Sequence, residues 1–281
     1  MMTPLHPNYP PIVDMNSDNL LMNTRCRHFQ ALFFKAPVAE VSRLLNELDS
    51  HVIRPLDGRN RLIGRGRLTP TFQLLEQTLI VFALYRYESA TGIGTDNTSS
   101  GNECCIALPV IEAGASPLTH WSAWLNPWHR QGVNFFHLAR WFHTDTGSPS
   151  PALNSTANLG PTSDKDSLVR IVNDDDTLFC QIQNQGSTLF SLTGNLGPGI
   201  PTPALNHSRL WQETDEITSV HAKVTGRPRL HLRPQITMTY GDRPHISPTT
   251  ESLLSALALD ESDALFAWSG QQLEIAYYSS E

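Results

Sequence analysis

The sequence predicts an α+β fold that is mostly β: a curled antiparallel sheet, or a β-barrel or cone enclosing a pocket, with a few short helices. Three observations carry this. Charged residues make up 17% of the 281 residues, with 20 prolines and 17 glycines, whereas an average domain carries ~25% charge. β-Branched and aromatic runs bounded by Gly, Asn, Asp, Ser and Pro recur along the chain, as strands joined by turns require. Helical periodicity is pronounced only once, early. A sheet of that many strands, curled on itself, encloses a cavity.

Taken in order, residues 1–24 are rich in Pro and Asn and read as a poorly ordered arm before a single domain over 25–281. Arg27 to Ala36 reads as a strand. Pro37 then suits a first helical turn, with Val38, Val41, Leu44, Leu45 and Leu48 on one face. "NRLIGRGRLTPTF" is extended. Gln77 to Ser89 is the strongest strand, and after the loop "ATGIGTDNTSSGN" a second strand runs from Glu103 to Ala113. Ser116 to Asp145 is an aromatic connector holding four of the six tryptophans, part of it helical behind Asn126 and Pro127. Thr146 to Asp166 lacks apolar periodicity and reads as a surface loop. From Ser167 the chain is a meander with turns at "NDDD" and "NQGS", then further strands, and "TTESLLSALALDES" is a closing helix.

The formal net charge is −7, which excludes a global nucleic-acid footprint. Basic residues cluster in Arg54–Arg67 and Gly226–Pro234; the first offers an anion or phosphate site, but such arginines more often line a solvated loop and a protected strand edge. The N-terminal stretch lacks a signal-peptide pattern, and no apolar run approaches the ~18 residues of a membrane helix. A cytoplasmic protein without nucleic-acid or membrane partners is expected, a homo-oligomer being compatible. The four cysteines form no CxxC pairs. Neither HExxH nor G-x-S-x-G occurs, and the Gly-rich loops do not bridge a strand to a helix. No metal and no cofactor are expected. His137 and His143 would share a strand face, yet nearly 20 Å apart on a regular strand.

Two residues invite a chemical role. Glu103 opens an apolar strand after a loop and reads as a proton-transfer acid if it enters a cavity, or as a solvated strand-end glutamate. Lys223 alternates with Val220, Ala222 and Val224, and is an activated amine or an ordinary surface lysine according to which face looks inward. It is one of only three lysines, with Lys35 and Lys165.

The helix Pro37–Leu45, the strand "NECCIALPV" from Asn102 to Val110, and "GVNFFHLARW" from Gly132 to Trp141 together resemble the acetoacetate decarboxylase-like family, over most of residues 27–280. That family is a curled β-barrel or cone around a pocket. The resemblance implies that Glu103 lies in the pocket and that Arg140, in "HLARWF", occupies the place of the Schiff-base lysine. Arginine stays protonated and forms no Schiff base with a ketone. The resemblance therefore implies a divergent member that binds a small keto acid or other carboxylate through Arg140, with His137, Phe136 and Trp141 as pocket wall. Glu103 and Lys223 are the candidate catalytic groups. If the protein is an enzyme, it is a lyase or hydrolase acting on a keto acid. The alternatives are a barrel carrying a larger apolar ligand and a non-catalytic structural or interaction protein.

Overall fold

A computed structural model of the chain describes residues 20–41, 68–70, 76–92, 98–112, 134–144, 167–174, 177–184, 186–202, 208–213, 217–241 and 264–279. They form fourteen strands. In chain order these are β1 (Leu20–Pro37), β2 (Leu68–Pro70), β3 (Gln77–Gly92), β4 (Thr98–Glu112), β5 (Asn134–Thr144), β6 (Ser167–Asp174) and β7 (Thr177–Asn184). They continue as β8 (Ser187–Asn195), β9 (Ile200–Pro201), β10 (Ser208–Glu213), β11 (Ile217–Thr225), β12 (Arg229–His231), β13 (Gln235–Tyr240) and β14 (Phe266–Ser279). Residues 38–41 are helical. The rest of that predicted helix, the segment behind Asn126, the closing helix, the loop at 146–166, the Arg54–Arg67 cluster and Lys165 lie outside the described residues.

Ten strands form one large sheet in the order β1-β3-β4-β5-β10-β11-β14-β12-β9, with β2 on β4. β14 also pairs with β1, from Leu20↔Tyr278 to Phe33↔Phe266. The sheet is thus curled far enough for a late strand to hydrogen-bond the first. Its pairings are antiparallel except β5–β10, which is parallel. The remaining four strands form an antiparallel meander, β13-β8-β7-β6.

Strict alternation gives the curled sheet two apolar faces. Its outer face (Leu32, Phe34, Ile80, Phe82, Leu84, Cys104, Ile106, Trp141) packs on Ile171, Cys180, Ile182, Phe190, Leu192 and Met238 of the second sheet. Trp141 and Phe82 meet Phe190 edge-on, with centroids 5.4 and 5.6 Å away. The inner face collects Met22, Cys26, Phe29, Phe33, Val81, Tyr87, Cys105, Phe135, Ala222, Leu273 and Tyr277. Strands buried on both faces read as near-continuous apolar runs, which is how "QTLIVFAL" and "ECCIALPV" look.

Two expectations change. β1 starts at Leu20, inside the stretch read as an arm, with Thr24 Oγ1 donating to the Ile275 carbonyl at 3.2 Å. The aromatic connector contains a strand: Asn134–Thr144 pairs along β4 from Val110↔Asn134 to Gly101↔Thr144. Tryptophans and histidines disguised an inner strand as a linker.

Candidate functional site: a buried guanidinium–carboxylate–phenol cluster

The site follows from register. Cys105 faces Arg140 across β4 and β5, and Glu103 faces Phe142. Between Ile106↔Ala139 and Ala107↔His137 the register shifts, leaving Leu138 as an extra residue in β5. A bulge of this kind reverses the facing of everything beyond it. Hence Phe135 and His137 before the bulge share the inner face with Arg140 and Phe142 after it, although His137 and Arg140 are three residues apart.

On that face Glu103 and Arg140 are 3% and 2% exposed. Arg140 donates Nε–H to Glu103 Oε1 at 2.7 Å and Nη2–H to Oε2 at 2.9 Å. Tyr87 donates its hydroxyl to Oε2 at 2.7 Å. Two parallel N–H···O bonds and a phenol fix the carboxylate in one orientation. Phe142 lies beside the guanidinium, its ring centroid 5.8 Å from Cζ.

The electrostatics follow. Burial alone would lower the Arg140 pKa, but the Glu103 charge and hydrogen bonds hold the guanidinium proton more tightly than usual. Burial first, and the Glu103 charge second, push the phenols of Tyr87 and Tyr277 well above their ordinary value. The same two causes raise the thiols of Cys26 and Cys105. The inner face thus presents a cation balanced by its own anion, ringed by groups that keep their protons. Both Glu103 oxygens already accept hydrogen bonds, so this carboxylate positions its neighbours rather than waiting as an isolated acid.

The sequence-predicted residues divide. Glu103, Arg140 and His137 share the inner face. Arg140, expected to hold a ligand carboxylate, makes a bidentate clamp on the protein's own Glu103. Trp141 is fully buried between the sheets, on the opposite face of β5. Phe136 is in register with Leu108 and Trp211. Lys223 lies on the opposite face of β11 from Ala222 and Val224, which belong to the interior, so it is not brought to the pair. Lys35 is exposed. His143 is in register with Asn102, whose side chain donates to the Val169 carbonyl of the second sheet; the bulge puts His137 and His143 on opposite faces. Sequence reasoning missed Tyr87 and Tyr277. The i, i+2 pair Tyr85 and Tyr87 inside the strongest predicted strand was the available signal. Among the described residues no cluster of three or more His, Cys, Asp or Glu side chains can hold a metal, and no helix is long and apolar enough to cross a membrane.

No family model matches the sequence, and no curated protein matches it. Solved structures do. An acetoacetate decarboxylase superposes with a TM-score of 0.51 at 11% identity, over 92% of this chain and 87% of the other. An acetoacetate decarboxylase-like enzyme from Sphingomonas wittichii RW1 gives 0.54 at 10%, over 93% and 92%. The acetoacetate decarboxylase of Legionella pneumophila gives 0.51 at 12%, over 92% and 85%. The chain has the acetoacetate decarboxylase-like fold. At this identity the likeness speaks for architecture, and the chemistry of this chain must be read from its own residues.

Proposed function

We propose that the protein binds a small keto acid or other small carboxylate at the inner face of the curled sheet, beside Arg140, and forms no Schiff base there. The observation that supports this is the guanidinium of Arg140, held in an apolar shell by Glu103, whose carboxylate Tyr87 in turn fixes. It keeps its proton and so cannot attack a ketone. A positioned cation and the protonated phenol of Tyr277 are hydrogen-bond donors suited to carboxylate and keto oxygens, while the Tyr87 hydroxyl is spent on Glu103. Glu103 offsets the cation, so an arriving anion competes with it for the guanidinium, which favours a small, strongly anionic ligand. No step of decarboxylation is assigned.

Calorimetry with acetoacetate, pyruvate and acetate tests the reading. Arg140→Ala is expected to weaken keto-acid binding at least about tenfold, or ~1.4 kcal/mol; unchanged affinity would sink it. Tyr277→Phe keeps the fold-bearing pair intact and is expected to weaken binding less. Borohydride added with acetoacetate should trap no lysine adduct, and an adduct would show an amine where none is proposed.

The packed aromatic interior favours a second reading. Phe33 and Phe266 stack at 4.3 Å, and Tyr85 and Tyr87 at 5.6 Å, as in a filled core where Glu103–Arg140 is purely structural. That reading predicts no saturable keto-acid binding, and no bound hydrophobe in native mass spectrometry.

A further inference from the structure

A second polar constellation lies on the other side of the same sheet. Trp268 belongs to the inner face, so Ser269, next along β14, points outward. Its partners in register are Gln30 of β1 and Arg229 of β12. His231, two residues beyond Arg229, shares that face.

His231 is 3% exposed and held at both ring nitrogens. Nδ1 is 2.9 Å from the Gly197 carbonyl, and Nε2 is 2.8 Å from Ser269 Oγ. A carbonyl only accepts, so Nδ1 carries the proton. Nε2 therefore offers its lone pair to the Ser269 hydroxyl. This is the order of a nucleophile, a base and a group that orients the base. The 196–199 loop closes over it: a Cβ on Gly199 would lie 2.7 Å from His231 Cε1 and 2.9 Å from Arg229 Cβ. Ser269 is half-buried, and so within reach of a small molecule. Arg229 is exposed and donates Nε–H and Nη2–H to the Gly199 carbonyl at 3.3 and 3.0 Å. That acceptor is neutral and leaves the positive charge uncancelled. Gln30, 4% exposed, has an amide oxygen with no hydrogen-bond partner among the described residues. It is a buried polar group beside Ser269 that a polar ligand would satisfy.

We propose that Ser269 and His231 form a nucleophilic dyad that takes the acyl group of a small ester, with Arg229 favouring an acyl donor that carries a carboxylate. The Ser269 oxygen forms a bond to the acyl carbon while its proton passes to His231 Nε2 and the carbonyl π pair moves onto oxygen. As that pair returns, the bond to the alkoxy leaving group breaks, and the leaving oxygen takes the proton from His231. Water repeats the sequence on the acyl-serine, releasing the acid and restoring Ser269. The site is independent of the Glu103–Arg140 pair.

The full-length protein treated with diisopropyl fluorophosphate and mapped by peptide mass spectrometry is expected to carry one diisopropylphosphoryl group, on Ser269. The urea-unfolded chain should carry none. An unmodified Ser269 in the native protein overturns the proposal, whatever the variants do. Ser269→Ala should abolish the labelling, and His231→Gln should slow it at least about 100-fold, the scale of a lost general base. The p-nitrophenyl monoester of glutaric acid should be hydrolysed faster than p-nitrophenyl acetate. Arg229→Gln should reduce the first rate about tenfold, a typical charge contact, and spare the second. Equal rates for both esters in both proteins would remove Arg229 from the site.

Discussion

At the residue scale, the Glu103–Arg140 pair is costly to half-remove. Taking one charge from a buried pair strands the other in an apolar surround, at about 3–5 kcal/mol. Glu103→Gln is therefore expected to lower stability by about that amount in urea unfolding. Replacing both partners with apolar residues, Glu103→Leu with Arg140→Met, should cost less than either single change. Additive losses would show that the pair does not act as a unit. The phenols make a second prediction. The pKa values of Tyr85, Tyr87 and Tyr277 are raised, chiefly by burial, while in the unfolded chain each ionises near pH 10. Above that pH the unfolded state sheds protons that the folded state retains. Their contribution to stability is complete below about pH 10 and lost as pH rises toward the folded values. Thermal melts should fall steeply there, and the phenolate absorbance of the buried Tyr87 and Tyr277 should appear only with unfolding. Absorbance rising before unfolding would contradict their burial. Glu103 and Arg140 were each legible in the sequence as residues of interest. Their bond to one another was not, because it depends on a register that no local pattern encodes.

At the scale of single strands, the bulge at Leu138 decides which side chains meet. Deleting Leu138 would restore simple alternation with His137 two residues before Arg140, so Phe135 and His137 would keep the inner face, and only the Leu138 side chain buried between the sheets would be lost. The expected result is a folded protein destabilised by about 2–5 kcal/mol, the cost of a lost buried leucine, read by circular dichroism; loss of the fold would mean that the facing on the two sides of the bulge is not related by plain alternation. Gly101 matters beside it. A Cβ there would meet the His143 carbonyl oxygen of β5, so Gly101→Ala should destabilise by pushing the two strands apart. The long apolar runs of β3 and β4 and the meander β6–β8 were visible in composition alone, since alternation and turn residues are local. β5 was misjudged because an extra residue breaks its alternation, and because aromatic density looks the same in a wall as in a connector. The facing of Lys223 was open in the sequence for a related reason: period-two patterns show that two faces differ, not which one looks inward.

At the scale of the whole molecule, one aromatic junction joins the two sheets. Phe190 contacts both Phe82 and Trp141 and is fully buried. Phe190→Ala is expected to cost about 3–5 kcal/mol, with a change in tryptophan emission, since Trp141 loses its neighbour. A loss under about 1 kcal/mol would show that the two sheets hold together without that junction. Curling of the large sheet was foreseen from the number of strands, whereas the detached four-stranded sheet was not, because the sequence does not say where one sheet stops and the next begins.

The pairing of β14 with β1 also bears on how the protein is made. β1 cannot satisfy one edge of its backbone until β14 has left the ribosome, so the nascent chain must carry an open, strongly apolar border while all the strands between them are made. Folding that waits on so distant a partner is slow, and an unpaired border of this kind adheres to other chains. Because Leu20 and Tyr278 end as neighbours, a circularly permuted chain that encodes β14 immediately ahead of β1 would present the two as a local hairpin. It should refold faster and with less aggregate than the natural order.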